Sequence, residues 1–396
     1  MRARRSSAEA FQDFFRTEAA GGAALIACAA VALAIANSEW AGAYDHIWHA
    51  RLTIGTGHYA LTLTLHEWIN DGLMAVFFLL IGLEVKREAL DGELASPRQA
   101  VLPIAAALGG MLIPAALFLL ASGGGEVAHG WAIPMATDIA FALGVLALVA
   151  PHSPPGLKVF LAALAIVDDV GAVLIIAIFF TGEIAWPPLA MAGGIMALLV
   201  ALNIFCVRHL MPYLLLGLGL WLAVHASGLH ATIAGVLMAF TIPARTRTRS
   251  TEPSPLLRLE HALHGISAFM VMPLFAFANA GVALGASSTP RVTLAVFVGL
   301  AIGKPLGVTL ATAAAVRWRL AALPEGVSWL ALHGAAWLSG IGFTMSLFIA
   351  MLTFDDAQRI DAAKIGILAA SLTAGTVGAA VVRASLRVSS AADRRL

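Results

Sequence analysis

Long apolar runs follow one another along almost the whole chain, with only short polar stretches between them. Most are of the length a bilayer-crossing helix needs, about 20 residues, and none shows the period-2 alternation of a barrel strand. The residues AVILMFWYC make up 60% of the 396 positions and charged residues only 12%. A soluble domain has about 45–50% and about 25%. So few charges cannot cover a folded chain of this length in water. A net charge of +1 offers no footprint for nucleic acid, which leaves the lipid bilayer as the expected surrounding. Cys28 and Cys206 each sit inside an apolar run, so no disulfide framework holds the fold. The fold class read from this pattern is an all-α polytopic membrane protein.

Twelve spans are expected, at about 19–36, 66–85, 101–121, 131–149, 158–180, 187–204, 210–224, 228–242, 258–281, 292–315, 329–352 and 362–382, of which 210–224 and 228–242 are short for a full crossing and fit tilted or bent segments. The first apolar stretch, preceded by arginines and ending Ala34-Ile35-Ala36, has the outline of a signal peptide. Its core exceeds a signal peptide's apolar region of about 7–15 residues, and a polar segment separates it from the arginines, so it reads as a retained helix. With the N-terminus inside, nineteen of the 24 Lys and Arg fall in cytoplasmic segments and four (Arg51, Arg291, Arg359, Lys364) outside. That asymmetry supports the orientation and an even span count. The domain reading is one integral membrane domain over 1–396, with a cytoplasmic segment at 1–18 and a cytoplasmic tail at 383–396. The loop at 37–65 faces outward. Its stretch from Trp48 to Tyr59 alternates around central glycines, which fits a short β-hairpin or an irregular loop equally well.

Four charges lie deep inside the apolar spans: Asp138, Asp168, Asp169 and Lys304. Each Asp or Lys at a helix centre costs about 2.5–3.5 kcal/mol on insertion scales, so each needs a reason to be there. Asp168 and Asp169 point about 100° apart on a helix, so each needs its own compensation or the two share a water-accessible cavity. They repel one another when both are ionised, and a proton or a hard monovalent cation relieves that repulsion. Lys304 lies about twelve residues from either end of its span, roughly 18 Å of helix, beyond the reach of a snorkelling stem. It needs an intramembrane carboxylate, or must be neutral. Together the three aspartates and the lysine carry −2 when all are ionised. A site that crosses only when Na+ or protons offset that charge is an exchanger.

Two spans carry marks of interruption. In the first, Pro134 precedes Thr137 and Asp138, which can cap a restarted half-helix. In the second, seven spans later, Gly340 to Ser346 puts two glycines and hydroxyl side chains at mid-depth. Paired interruptions in corresponding positions are the sequence pointer to a transporter's binding site. Half-helix ends carry about half a charge each, so Asp138 can balance two N-ends and Lys304 two C-ends. Near one end of the spans, Glu260 and His264 stand at i and i+4, a spacing that allows a pair, and histidine suits a pH switch.

These residues together resemble the NhaA family of sodium–proton antiporters over nearly the whole chain. The strings that carry the resemblance are FFLLIGLEVKREAL (77–90), ATDIAFALGVLAL (136–148), LAIVDDVGA (164–172), GLHATIAGVL (228–237), MPLFAFANAGV (272–282), IGKPLG (302–307) and LSGIGFTMSLFIA (338–350). The resemblance implies about twelve transmembrane helices, inverted repeats, and two interrupted helices that cross at mid-membrane. It implies that Asp168 and Asp169 bind the ion and the proton. It assigns Asp138, Lys304 and Thr137 to charge compensation at the crossing, with Lys304 also pairing Asp168. It assigns Glu84, Arg87, Glu88, Glu260, His261 and His264 to a cytoplasmic pH-response cluster, His230 to the pH profile and Asp71 to an ion funnel. It further implies a homodimer formed through an outward hairpin at about 46–60, in a bacterial inner membrane with both termini cytoplasmic. After His264 this chain has Gly265-Ile266 where the family resemblance leads one to expect a bulkier Pro-aromatic pair.

The function expected is secondary active Na+(Li+)/H+ antiport, pH-regulated and electrogenic, with no cofactor and no enzymatic step. The competing reading is a proton-coupled symporter of a small solute, which needs a larger aromatic-lined polar pocket. An intramembrane protease is disfavoured because its two acids should come from separate helices, and His66-Glu67-Trp68-Ile69-Asn70 lacks the second histidine of a zinc motif. The topology is tested by reporter fusions. Fusions after Arg249 and after Arg319 should report cytoplasm, and those after Ser122 and near Asp356 the outside. A fusion near Arg51 reporting cytoplasm would overturn the span count at its start.

Overall fold

A computed structural model describes residues 7–55, 60–182, 184–244, 253–285 and 289–393. The centre of the expected hairpin, the arginines at 245, 247 and 249, and the extreme termini lie outside the described residues.

Seven helices are long and apolar enough to cross a membrane: Leu65–Asp91, Pro97–Ser122, Pro155–Phe179, Trp186–Ile204, Pro255–Asn279, Pro290–Arg317 and Ala357–Val388. Four of them start at a proline, whose fixed φ and missing N–H suit a first helical turn. Ser254 caps the Pro255 helix by accepting from Leu257 N at 3.3 Å. Three further pairs of helices pass the same test together but are bent: Ala20–Ala36 with Ala41–His49 by 114°, Gly125–Met135 with Ile139–Val149 by 50°, and Trp329–Leu338 with Phe343–Thr353 by 44°. Counting each bent pair once gives up to ten candidate crossings among the described residues, so the expected count of twelve is matched in part. The two expected spans left over are the helices Leu210–Ala226 and Ile233–Thr241, of 17 and 9 residues. At 1.5 Å per residue the first is about 26 Å long, at the lower limit for a crossing, and the second about 14 Å, well below it.

The chain, which the sequence reads as one domain, packs as two compact units. One holds Met1–Ala27, Glu93–Ala172 and Val282–Leu396, the other Cys28–Gly92 and Val173–Gly281. Two of the boundaries fall inside helices, so no linker marks them in the sequence.

The first unit repeats one order of elements. A continuous helix, a broken pair and a second continuous helix occur as Pro97–Ser122, 125–149 and Pro155–Phe179, then again as Pro290–Arg317, 329–353 and Ala357–Asp393. The first helices of the two sets touch backbone to backbone at Gly109 and Gly307, where a Cβ on either would overlap the other's carbonyl oxygen. Just before Lys304 the helix widens into a π turn over Val298–Gly303, and Gly303 packs on Pro114. That close approach sets the position of Lys304.

In the second unit, Ile233–Thr241 lies along Leu65–Asp91 and runs in the same direction. Gly82 packs on Ala239, and Lys86 Nζ donates to Phe240 O at 2.7 Å and Ile242 O at 2.5 Å. Tyr213, Trp221, Leu83 and Met238 fill its core. The segment read as an outward loop contains the helix Ala41–His49 and two strands. Tyr44 and Trp48 pack edge-on against Phe277, and the Tyr44 hydroxyl donates to Phe277 O at 2.5 Å, which gives this short helix a hydrophobic anchor. Strands β1 (Arg51–Ile54) and β2 (Leu61–Thr64) pair antiparallel with Arg51 opposite Thr64 and Ile54 opposite Leu61. The second strand lies beyond Tyr59 and ends at Thr64, which forms with Glu67 a capping box that opens the next helix.

Candidate functional site

The two broken spans of the first unit meet at their breaks. The first break is Ala136–Asp138, just after Pro134, which itself ends a 3₁₀ helix over Gly125–Met135. The second follows Leu338 and ends at Gly342. Asp138 N donates to Ile341 O at 2.7 Å, and Ser346 Oγ donates to Ile133 O at 2.8 Å. Asp138 caps both restarted half-helices at once. Its Oδ1 accepts from Phe141 N at 3.0 Å, and its Oδ2 accepts from Thr344 N at 3.1 Å and Thr344 Oγ1 at 2.6 Å. One carboxylate therefore supplies acceptors to two helix N-ends, where negative charge is favoured.

The C-ends are served differently from the expectation that Lys304 balances both. Lys304 Nζ donates to Met135 O, at the end of the first half-helix, and to Asp168 Oδ2 at 2.6 Å. The second C-end falls to Thr137, whose hydroxyl lies 2.8 Å from Ser339 O and 2.6 Å from Asp168 Oδ2. An ammonium has three donors on one compact head, and here they converge on one carbonyl and one carboxylate rather than on two separate helix ends. The Thr137 hydroxyl has one proton and serves its two acceptors one at a time.

Asp168, Asp169, Asp138 and Lys304 are 0%, 1%, 1% and 0% exposed. Asp168 has one oxygen committed to Lys304 and Thr137, while its Oδ1 is buried with no hydrogen-bond partner. Asp169 follows it on the helix Pro155–Phe179 and is equally buried. Among the described residues no group of three or more His, Cys, Asp or Glu side chains is placed to hold a metal ion. What converges here is an adjacent carboxylate pair, one hydroxyl and backbone carbonyls, a set of hard oxygen donors of low total charge.

The remaining sequence candidates lie in the second unit and separate into two groups. Arg87 ties one group together: its Nη1 lies 2.7 Å from Glu88 Oε1 and its Nε 2.9 Å from Glu260 Oε1. His264 Nδ1 stands 3.9 Å from Glu84 Oε1. The i,i+4 spacing thus serves different partners from those expected: Glu260 takes the Arg87 guanidinium, a charged donor, and His264 faces Glu84. His261 is exposed, with Nδ1 on Leu257 O of its own helix at 2.5 Å. The second group lies at the other end of Leu65–Asp91. Asp71 Oδ2 is 3.8 Å from His225 Nδ1, and Asp71 O accepts from Trp221 Nε1 at 3.0 Å. His230 sits in the turn before Ile233–Thr241, the end that packs beside Ala75. From Asp71 to Glu84 is about 20 Å of helix, so His230 and Asp71 are not part of the Arg87 cluster.

Sequence reasoning missed Met135 O and Ser339 O, because a backbone carbonyl has no signature of its own. It also left out His225, whose only signal was a histidine in an apolar run.

The family model for Na+/H+ antiporter 1 matches residues 12–382. The chain belongs to that family. It is 50% identical to the Na(+)/H(+) antiporter NhaA of Bordetella parapertussis, over 94% of this chain and 96% of that protein. With the NhaA antiporter of Pseudomonas fluorescens strain Pf0-1 it shares 50% identity over 96% and 98%. With that of Oleidesulfovibrio alaskensis it shares 46% over 95% and 94%. These relatives of the Na+/H+ antiporter 1 family are transporters by name, and none gives support to the small-solute symporter. Family membership and the seven helices long and apolar enough to cross a membrane make the chain a multi-pass membrane protein.

The buried pair makes a stability prediction. Lys304→Gln should destabilise the protein by about 3–5 kcal/mol, because it leaves the Asp168 charge buried without its counter-charge. Adding Asp168→Asn should recover part of that loss. Thermal unfolding in detergent compares the two. A double variant no more stable than Lys304→Gln would show that Lys304 does not stabilise by pairing Asp168.

Proposed function

We propose that the chain exchanges Na+ or Li+ for H+ across a bacterial inner membrane, with Asp168 and Asp169 as the shared binding site. The observation that carries this reading is the pair Asp168–Lys304. A fully buried carboxylate is held by an ammonium and a hydroxyl at the meeting of two broken helices, and has one oxygen still without a partner. Na+ binding to Asp168 and Asp169 displaces Lys304 from the carboxylate. Protons restore neutrality on the return journey, so the site crosses only when loaded with one or the other. Asp138 keeps the half-helix N-ends satisfied throughout and is not an ion ligand in this scheme, since three donors already occupy it.

The finer parts of the reading follow from the same residues. More protons than sodium per cycle makes the exchange electrogenic, and the membrane potential then drives sodium outward while external protons enter. Both termini face the cytoplasm, as the Lys and Arg distribution argues. Glu84, Arg87, Glu88, Glu260 and His264, on two facing helices, respond to cytoplasmic pH, with His261 at their margin. His230 and Asp71 act at the opposite end, Asp71 as a funnel acid. Two copies associate through the β1–β2 hairpin.

Asp168→Asn and Asp169→Asn should each abolish Na+-dependent collapse of a pH gradient in everted vesicles, with protein levels in the membrane unchanged. Li+ should behave as Na+ does, and K+ should have no effect. Wild-type exchange by an inserted Asp169→Asn protein would sink the shared-site reading.

A further inference from the structure

Lys304 faces Asp168 with one side of its helix. Another side of the same helix meets a histidine that none of the chemistry above uses. His333 lies on the half-helix Trp329–Leu338, and its Nδ1 is 2.9 Å from Thr309 Oγ1, five residues after Lys304. Its other nitrogen, Nε2, accepts from Trp337 Nε1 at 3.1 Å. An indole nitrogen only donates, so Nε2 carries no proton in this arrangement and Nδ1 carries the ring's single N–H. That N–H then donates to the Thr309 hydroxyl. The ring is neutral and its direction is fixed by Trp337, one turn along its own helix. The two ring planes stand at 87°, the edge-on geometry that places an N–H against a ring nitrogen.

The position of this link gives it consequence. Residues 304 and 309 point about 140° apart on a helix, so the His333 bond does not touch the ion pair but holds the rotation of the helix that carries it. On the other side, His333 belongs to the half-helix whose C-end carbonyl, Ser339 O, takes the Thr137 hydroxyl. The bond therefore ties the Lys304 helix to one wall of the broken crossing, on the face away from Asp168.

We propose that His333 is a positioning residue that holds Lys304 against Asp168 and so sets the affinity for Na+. This rests on the reading that Na+ competes with Lys304 for Asp168. Where Lys304 competes with the ion, loosening its helix weakens the competitor. Losing one hydrogen bond of ordinary strength corresponds to about a three- to tenfold change in an equilibrium. His333→Ala and Thr309→Val should each lower the KM for Na+ by about that factor, and the double variant should do no more than either alone, since both remove the same bond.

Four variants, with Asp168→Asn in parallel, test this through Na+-dependent pH-gradient collapse. They are His333→Ala, Thr309→Val, the double variant of these two, and His333→Gln. A glutamine can accept from Trp337 with its carbonyl and donate to Thr309 with its amide, so His333→Gln should keep the wild-type KM. A merely structural role lowers the amount or the maximum rate and leaves KM in place. An unchanged or raised KM in His333→Ala and Thr309→Val overturns the proposal, and so does a glutamine variant that fails to restore it. Exchange surviving in Asp168→Asn contradicts instead the reading on which the proposal rests, and so separates the two failures.

Discussion

Two broken helices bury four helix ends where water does not reach, and every backbone group freed there must find a partner. An unsatisfied polar group in hydrocarbon costs several kcal/mol. Asp138 meets both N-ends with one carboxylate. Lys304 and Thr137 divide the C-ends, one to Met135 O and one to Ser339 O. Both of these donors also reach Asp168 Oδ2. The residue that binds the ion in our account is thereby wired into the groups that make the breaks tolerable. Emptying or filling Asp168 changes what Lys304 and Thr137 do, and through them the satisfaction of two helix ends.

In the proposed exchange, that wiring passes a change of charge at Asp168 on to the helix ends. Na+ on Asp168 would release Lys304 from the carboxylate and leave its ammonium near the Met135 carbonyl alone. A buried ammonium without a counter-charge is costly, which ties its proton to the state of the site. The Gly109–Gly307 contact lets the Lys304 helix lie directly on its neighbour, backbone against backbone.

Much of this was legible in the sequence because charge in an apolar span is conspicuous. Asp138, Asp168, Asp169 and Lys304 stood out on cost alone, and Gly340 to Ser346 marked the second break. The partners were less legible. Met135 O and Ser339 O are carbonyls, and no side chain advertises them. The helix Ala41–His49 was read as part of a loop because nine residues with two charge-capable histidines in the last turn lack a long apolar period; Phe277, more than two hundred residues away, is what holds it. The shortness of two expected spans was legible too: 210–224 and 228–242 are short apolar runs, and they form the helices Leu210–Ala226 and Ile233–Thr241 of 17 and 9 residues. The two packing units were hidden because two of their boundaries run through helices. The resemblance to antiporters came from strings around the crossing, and the family match bears it out over residues 12–382.

The central claim is that Na+ and protons compete for Asp168. Calorimetric titration of the purified protein with Na+, repeated in buffers of different ionisation enthalpy, counts the protons released on binding. The account predicts proton release by the wild type that disappears, together with Na+ binding, in Asp168→Asn. Na+ binding with no proton release, or release that persists in Asp168→Asn, would contradict it.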